Sequence, residues 1–126
     1  AEPVSPALWL AAAFGRTQEA NQLLTGGANI EERGGTAPFQ TTPLQVAVYT
    51  GHVEVFQLLL DHGADTSTNH DGGGTLLHWA ASLGHGEVAV LLLQNGAEIS
   101  AKTDDAHTPL HLAALFGQGA VARVLL

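Results

Sequence analysis

The sequence predicts an all-α solenoid of four stacked helix–turn–helix units, and three markers that share one 33-residue beat predict it. Thr108-Pro109-Leu110-His111-Leu112-Ala113-Ala114 is preceded, 33 residues earlier, by Thr75-Leu76-Leu77-His78-Trp79-Ala80-Ala81, and 33 before that by Thr42-Pro43-Leu44-Gln45-Val46-Ala47-Val48. Leu59-Leu60-Asp61-His62-Gly63-Ala64 returns on the same interval as Leu92-Leu93-Gln94-Asn95-Gly96-Ala97. Gly51, Gly84 and Gly117 keep the beat as well. A fixed period of this length marks supersecondary units that cannot bury their apolar faces alone and do so by stacking.

Each unit reads as helix, tight turn, helix, long loop. Thr42, Thr75 and Thr108 are N-caps whose hydroxyls can satisfy an orphan N–H of the first turn. Pro43 and Pro109 follow at the first helical position, where a missing donor does no harm. The first helix is about two turns long and stops near Tyr49, Leu83 and Leu115, ahead of the marker glycine. The second helix runs through Val55–Leu60, Val88–Leu93 and Val121–Leu126. Gly63 and Gly96 stand where a left-handed residue closes a helix without a Cβ clash. Ala80-Ala81 and Ala113-Ala114 are expected where helices approach closely, with Leu58, Leu59, Leu91, Leu92 and Val124 filling the space between them.

The first unit is degenerate. Aligning Gly27-Ala28 with Gly63-Ala64 sets Leu8 opposite Leu44, Ala11 opposite Ala47 and Gly15 opposite Gly51. This offset is 36 rather than 33, which places three extra residues between Glu31 and Thr41, where Gly34-Gly35 and Pro38 signal a loop. Ala1 to Pro6, with two prolines, reads as extended. The expected organisation is a single domain over 1–126 with units near 6–38, 39–71, 72–104 and 105–126, the last truncated.

Composition narrows the function. Apolar residues make up 45% of the 126 and charged residues 13%, so the chain can bury a core. Apolar runs such as Val88–Leu93 are far too short to span a bilayer. The formal net charge is −8 and no cationic cluster is present, so neither nucleic acid nor an anionic membrane surface is an expected partner. A partner steered by charge would carry a basic patch. The chain has no Cys, which excludes disulfides and thiolate metal sites. It also has no Met, and no charged-then-apolar leader is visible. A cytoplasmic location is expected, with export after signal removal as the alternative.

The Thr-Pro-Leu-His-Leu-Ala-Ala stretch, the following Phe116-Gly117, the Val-rich second helix ending in Leu-Leu and the Gly-Ala closure resemble the ankyrin repeat. The resemblance is strong from Thr42 to Leu126 and weaker from Ala7 to Ile30. It implies helix pairs with hairpin-like loops, and a scaffold that binds other proteins through loop tips and the exposed face of the first helices, without cofactor or catalysis. It also implies that His78 and His111 hydrogen-bond to the signature threonine or a loop backbone. The chain departs from the pattern at Trp9 and Gln45, which replace the signature histidine, and at Gln40 and Ala106, where the family favours glycine. Neither end reads as a polar cap, and the expectation is that further residues, a longer parent protein or self-association covers them.

The seven histidines raise the question of a metal. His52 and His85 recur after the marker glycine, and His62 suits a helix end by its complement to the dipole. Only His70 and His107 lack a framework task, and with Asp71, Asp104 and Asp105 they could form an oxygen-rich ion site or serve a metal-dependent enzyme. No ligand spacing supports this, and solvated loop residues are expected. Gly72-Gly73-Gly74-Thr75 lacks the ending of a phosphate-binding loop. Acidic pairs such as Glu31-Glu32 are adjacent in loops, with nothing to set their acidities apart.

A protein-binding surface remains. The last two residues of each first helix read Ala13-Phe14, Tyr49-Thr50, Ser82-Leu83 and Leu115-Phe116, and none is charged. The expected anchors are Phe14, Tyr49, Leu83, Leu115 and Phe116, with Phe39, Thr41, Asp71, Asp104, Asp105 and His107 at the loop tips. Trp79, in the register of Leu112, is expected in the core. The function expected is binding of another protein, as a scaffold or as inhibitor or regulator of one enzyme.

Overall fold

The structure, a computed structural model, describes residues 6–35, 40–67 and 74–126. Eight helices are present among them, and the chain divides into two compact units, Ala1–Thr66 and Ser67–Leu126. In the first, α1 (Ala7–Phe14) and α2 (Thr17–Thr25) form one hairpin and α3 (Pro43–Thr50) and α4 (Val53–Asp61) the next. α1 packs on α3 and α2 on α4. The second unit repeats the arrangement with α5 (Leu76–Leu83), α6 (Gly86–Gln94), α7 (Pro109–Leu115) and α8 (Gly119–Leu125), α5 on α7 and α6 on α8. This is the all-α repeat fold that the 33-residue period implies.

The first helices begin where the threonines predict. Thr42 Oγ1 accepts from the Gln45 N–H at 3.2 Å while Gln45 Oε1 accepts from the Thr42 N–H at 2.8 Å. Thr75 with His78 and Thr108 with His111 close the same two-way box, the imidazole Nδ1 standing in for the amide oxygen. Each box satisfies two orphan donors, so glutamine replaces the signature histidine without loss of the cap. Because Nδ1 of His78 accepts the Thr75 N–H, the ring proton belongs on Nε2, which donates to the His107 carbonyl at 2.9 Å. That bond ties α5 to the loop entering α7. Trp9 does the same from the equivalent position of α1: its Nε1 donates to Thr41 Oγ1 at 3.1 Å. The two ties span 32 and 29 residues, and the difference is the three-residue insertion.

The loops place that insertion. Gly34 and Thr41 exchange both backbone hydrogen bonds as an antiparallel bridge, and Thr103 with His107 occupies the matching place in the second unit. Six residues separate the first pair and three the second, so the extra residues lie within 35–40, of which Thr36, Ala37, Pro38 and Phe39 are outside the described residues. The shorter loop is a turn closed by Ala106 N–H to Thr103 O at 2.8 Å, after which Ala106 takes φ +64°. A turn followed by one left-handed residue is a regular three-residue hairpin loop, and glycine is the usual occupant of that last place. Ala106 therefore brings strain and not a differently shaped loop: the backbone keeps the glycine geometry with a methyl group attached.

Burial follows the helical period. Val55 and Leu59, Val88 and Leu92, and Val121 and Leu125 form the inward rows of α4, α6 and α8, joined by Phe56 and Ala89. Leu58, Leu91 and Val124 are only half-buried, which corrects the expected filling: the inward residue at the end of the chain is Leu125, four after Val121. Ala80, Ala81 and Ala113 are buried where first helices meet, but Ala114 is exposed. Gly84 ends α5 at φ +81°, and a methyl group added there would come within 2.5 Å of the Gln118 side chain, which lies against it to reach the Ser82 carbonyl. Glycine there serves both the helix stop and the approach of the next hairpin.

Candidate functional site

In the second unit, α5 and α7 run side by side in the same direction. His78 near the start of α5 bonds to His107 just ahead of α7, and Gln118 just past α7 bonds to Ser82 near the end of α5. The C-terminal ends of the two helices therefore share one edge, and with them Leu83, Leu115 and Phe116. These side chains are 43%, 69% and 58% exposed. Apolar groups of this size gain free energy when covered, and these three stand open on one edge.

Beside them, α5, α7 and the 103–107 loop enclose a hollow of about 280 Å³. Trp79, Leu112 and Phe116 supply apolar walls, and Ser82, Thr103, Asp105 and His107 the polar ones, with Gly74 and His78 at one side. Asp105 is exposed in its turn, held by the Ala106-to-Thr103 bond and by the His107 N–H, which donates to Thr103 Oγ1 at 3.2 Å. Asp104 is exposed next to it. Trp79 was expected in the core and is instead half-buried on the wall of this hollow. The signal available in the sequence was Gly74, where the neighbouring repeats carry Thr41 and His107: a methyl group there would sit 3.4 Å from the indole Nε1.

In the first unit the candidate residues are more occupied. Phe14 is 63% exposed, yet the Arg16 guanidinium lies 5.5 Å from its ring centroid. Tyr49 is half-buried. Thr41 is half-buried and engaged by Trp9 and Gly34. Phe39 and Asp71 lie outside the described residues, as do His70 and Gly72-Gly73.

The other histidines hold the framework. His52 meets the Ala13 carbonyl at 3.1 Å, and His62 Nδ1 meets the Leu58 carbonyl at 3.0 Å at the end of α4. The His107 and His111 rings lie 6.0 Å apart, centroid to centroid. Among the described residues no three of His, Cys, Asp or Glu gather as metal ligands, and no helix is long and apolar enough to cross a membrane.

The sequence matches the family described as Ankyrin repeats (3 copies) over residues 8–103 and again over 67–126. The chain belongs to the ankyrin-repeat family. Comparison with curated proteins gives no match. Ankyrin repeats generally act as protein–protein interaction modules and are typically not enzymes, and the capped first helices and hairpin loops described above are the parts of an ankyrin repeat.

Proposed function

We propose that this ankyrin-repeat chain binds a partner protein through the ends of its first helices and its loop tips. Leu83, Leu115 and Phe116 act as apolar anchors, with Asp104, Asp105 and His107 at the rim. Phe14 and Tyr49 of the first unit, with Thr41, Phe39 and Asp71, are proposed as further partner contacts in their own right, weaker where the side chain is already engaged, as Thr41 is by Trp9. The observation that carries the reading is the exposure of three large apolar side chains on one edge of the second unit. Helices capped at both ends hold that edge ready, so little ordering is lost on association. The net charge of −8 favours a partner with a basic patch.

The test compares proteins captured from the source lysate by the natural chain and by a Leu115→Ala, Phe116→Ala double variant. Both side chains are mostly exposed, so the melting curve should stay within about 1 kcal/mol of the parent. Loss of the specifically captured protein is expected. An unchanged set of captured proteins, from a variant that melts like the parent, places the binding surface elsewhere.

A further inference from the structure

We propose that the hollow between α5, α7 and the 103–107 loop receives an arginine side chain from an extended segment of the partner. The inference rests on the protein-binding reading and adds the chemistry of what is bound. The hollow, at about 280 Å³, is just smaller than the usual small-molecule cleft and suits one long side chain. Trp79, Leu112 and Phe116 offer apolar and aromatic surface to a methylene stem, and Asp105 offers a carboxylate to its head. A guanidinium is the cation that stacks on aromatic faces and also pairs in a planar fork with a carboxylate.

The chain itself shows the pairing. At the end of α1, Arg16 reaches back over the ring of Phe14. Phe116 occupies the same place at the end of α7, but the residue two further on is Gln118, which turns to the Ser82 carbonyl instead. An arginine from outside would supply to Phe116 what Arg16 supplies to Phe14. The charge of the second unit favours such a visitor: Glu87, Glu98, Asp104 and Asp105 outnumber Lys102 and Arg123 among its described residues, and Lys102 is not on the wall of the hollow. An uncharged apolar side chain would leave the Asp105 carboxylate on the wall without a role in recognition.

The probes are three blocked tripeptides, acetyl-Gly-Arg-Gly-amide and its lysine and leucine counterparts, titrated into the full chain. The readout is the NMR signals of the Trp79 indole and of the Leu112 and Phe116 amides. The arginine peptide should shift them with millimolar affinity, the lysine peptide less, and the leucine peptide least. Asp105→Asn and added salt should each weaken the arginine response by about threefold to tenfold. No shift with the arginine peptide, an equal shift with the leucine peptide, or indifference to Asp105→Asn would each overturn the assignment. The two readings fail separately. If Leu115→Ala, Phe116→Ala abolishes partner capture while the tripeptides do nothing, protein binding stands and the arginine slot falls. If the arginine peptide responds as described while the double variant still captures its partner, the slot stands and the proposed docking edge falls.

Discussion

Replacing Ala106 by glycine should stabilise the chain. Ala106 is the one non-glycine among the described residues with positive φ, at +64°. The left-handed region sets Cβ against the following carbonyl and costs a residue with a side chain about 1–2 kcal/mol. Glycine removes that strain but adds about 0.4–1 kcal/mol of unfolded-chain entropy, so the net gain is at most about 1.6 kcal/mol and centres on about 0.8 kcal/mol. The Ala106 side chain is exposed, and no burial is lost with it. Urea unfolding followed by far-UV circular dichroism reads the difference as a higher midpoint at unchanged slope, and the melting temperature should rise by about 2–4 °C. Asp104→Gly is the internal control: the same loop receives the same residue at a position without positive φ, and stability should fall by about 0.5–1 kcal/mol. If Ala106→Gly is destabilising, or if it costs as much as Asp104→Gly, the strained-turn account of the 103–107 loop is wrong.

Other perturbations probe the ties between repeats. His78→Ala loses the capping box and the bond to the His107 carbonyl from a site that is 1% exposed, so a loss of about 2–4 kcal/mol is expected in denaturant unfolding. His78→Gln should recover part of it, since Gln45 already closes the equivalent box in α3, and equal losses for the two variants would contradict the capping argument. A methyl group on Gly34 would sit 2.5 Å from the Trp9 ring, so Gly34→Ala should lower stability by about 1–3 kcal/mol and change the Trp9 fluorescence; an unaltered spectrum would mean that the indole does not lie on that loop. Phe56→Ala empties a fully buried site in α4, and its expected cost is about 3–5 kcal/mol by the same unfolding assay.

The repeat was legible along the chain: its period, the threonine caps, the glycine stops and the three-residue insertion can all be read from residue order. Each of these is a local device, since a cap or a helix stop is decided by residues within one turn of each other, and a repeated pattern repeats the device. What stands open depends on packing between residues far apart along the chain. Trp79 and Leu112 occupy the same register, and nothing local says that one wall of the indole borders a hollow; that depends on Gly74, on the path of the 103–107 loop and on α7 packing beside α5. Likewise Phe14 and Phe116 read alike along the chain and are exposed to a similar degree, yet the Arg16 guanidinium stands over one ring while Gln118 turns from the other to a carbonyl 36 residues away. Whether a side chain is engaged is often settled by neighbours far apart in sequence, as Thr41 is by Trp9 and Gln118 by Ser82, so only the folded chain could separate an open residue from one already engaged.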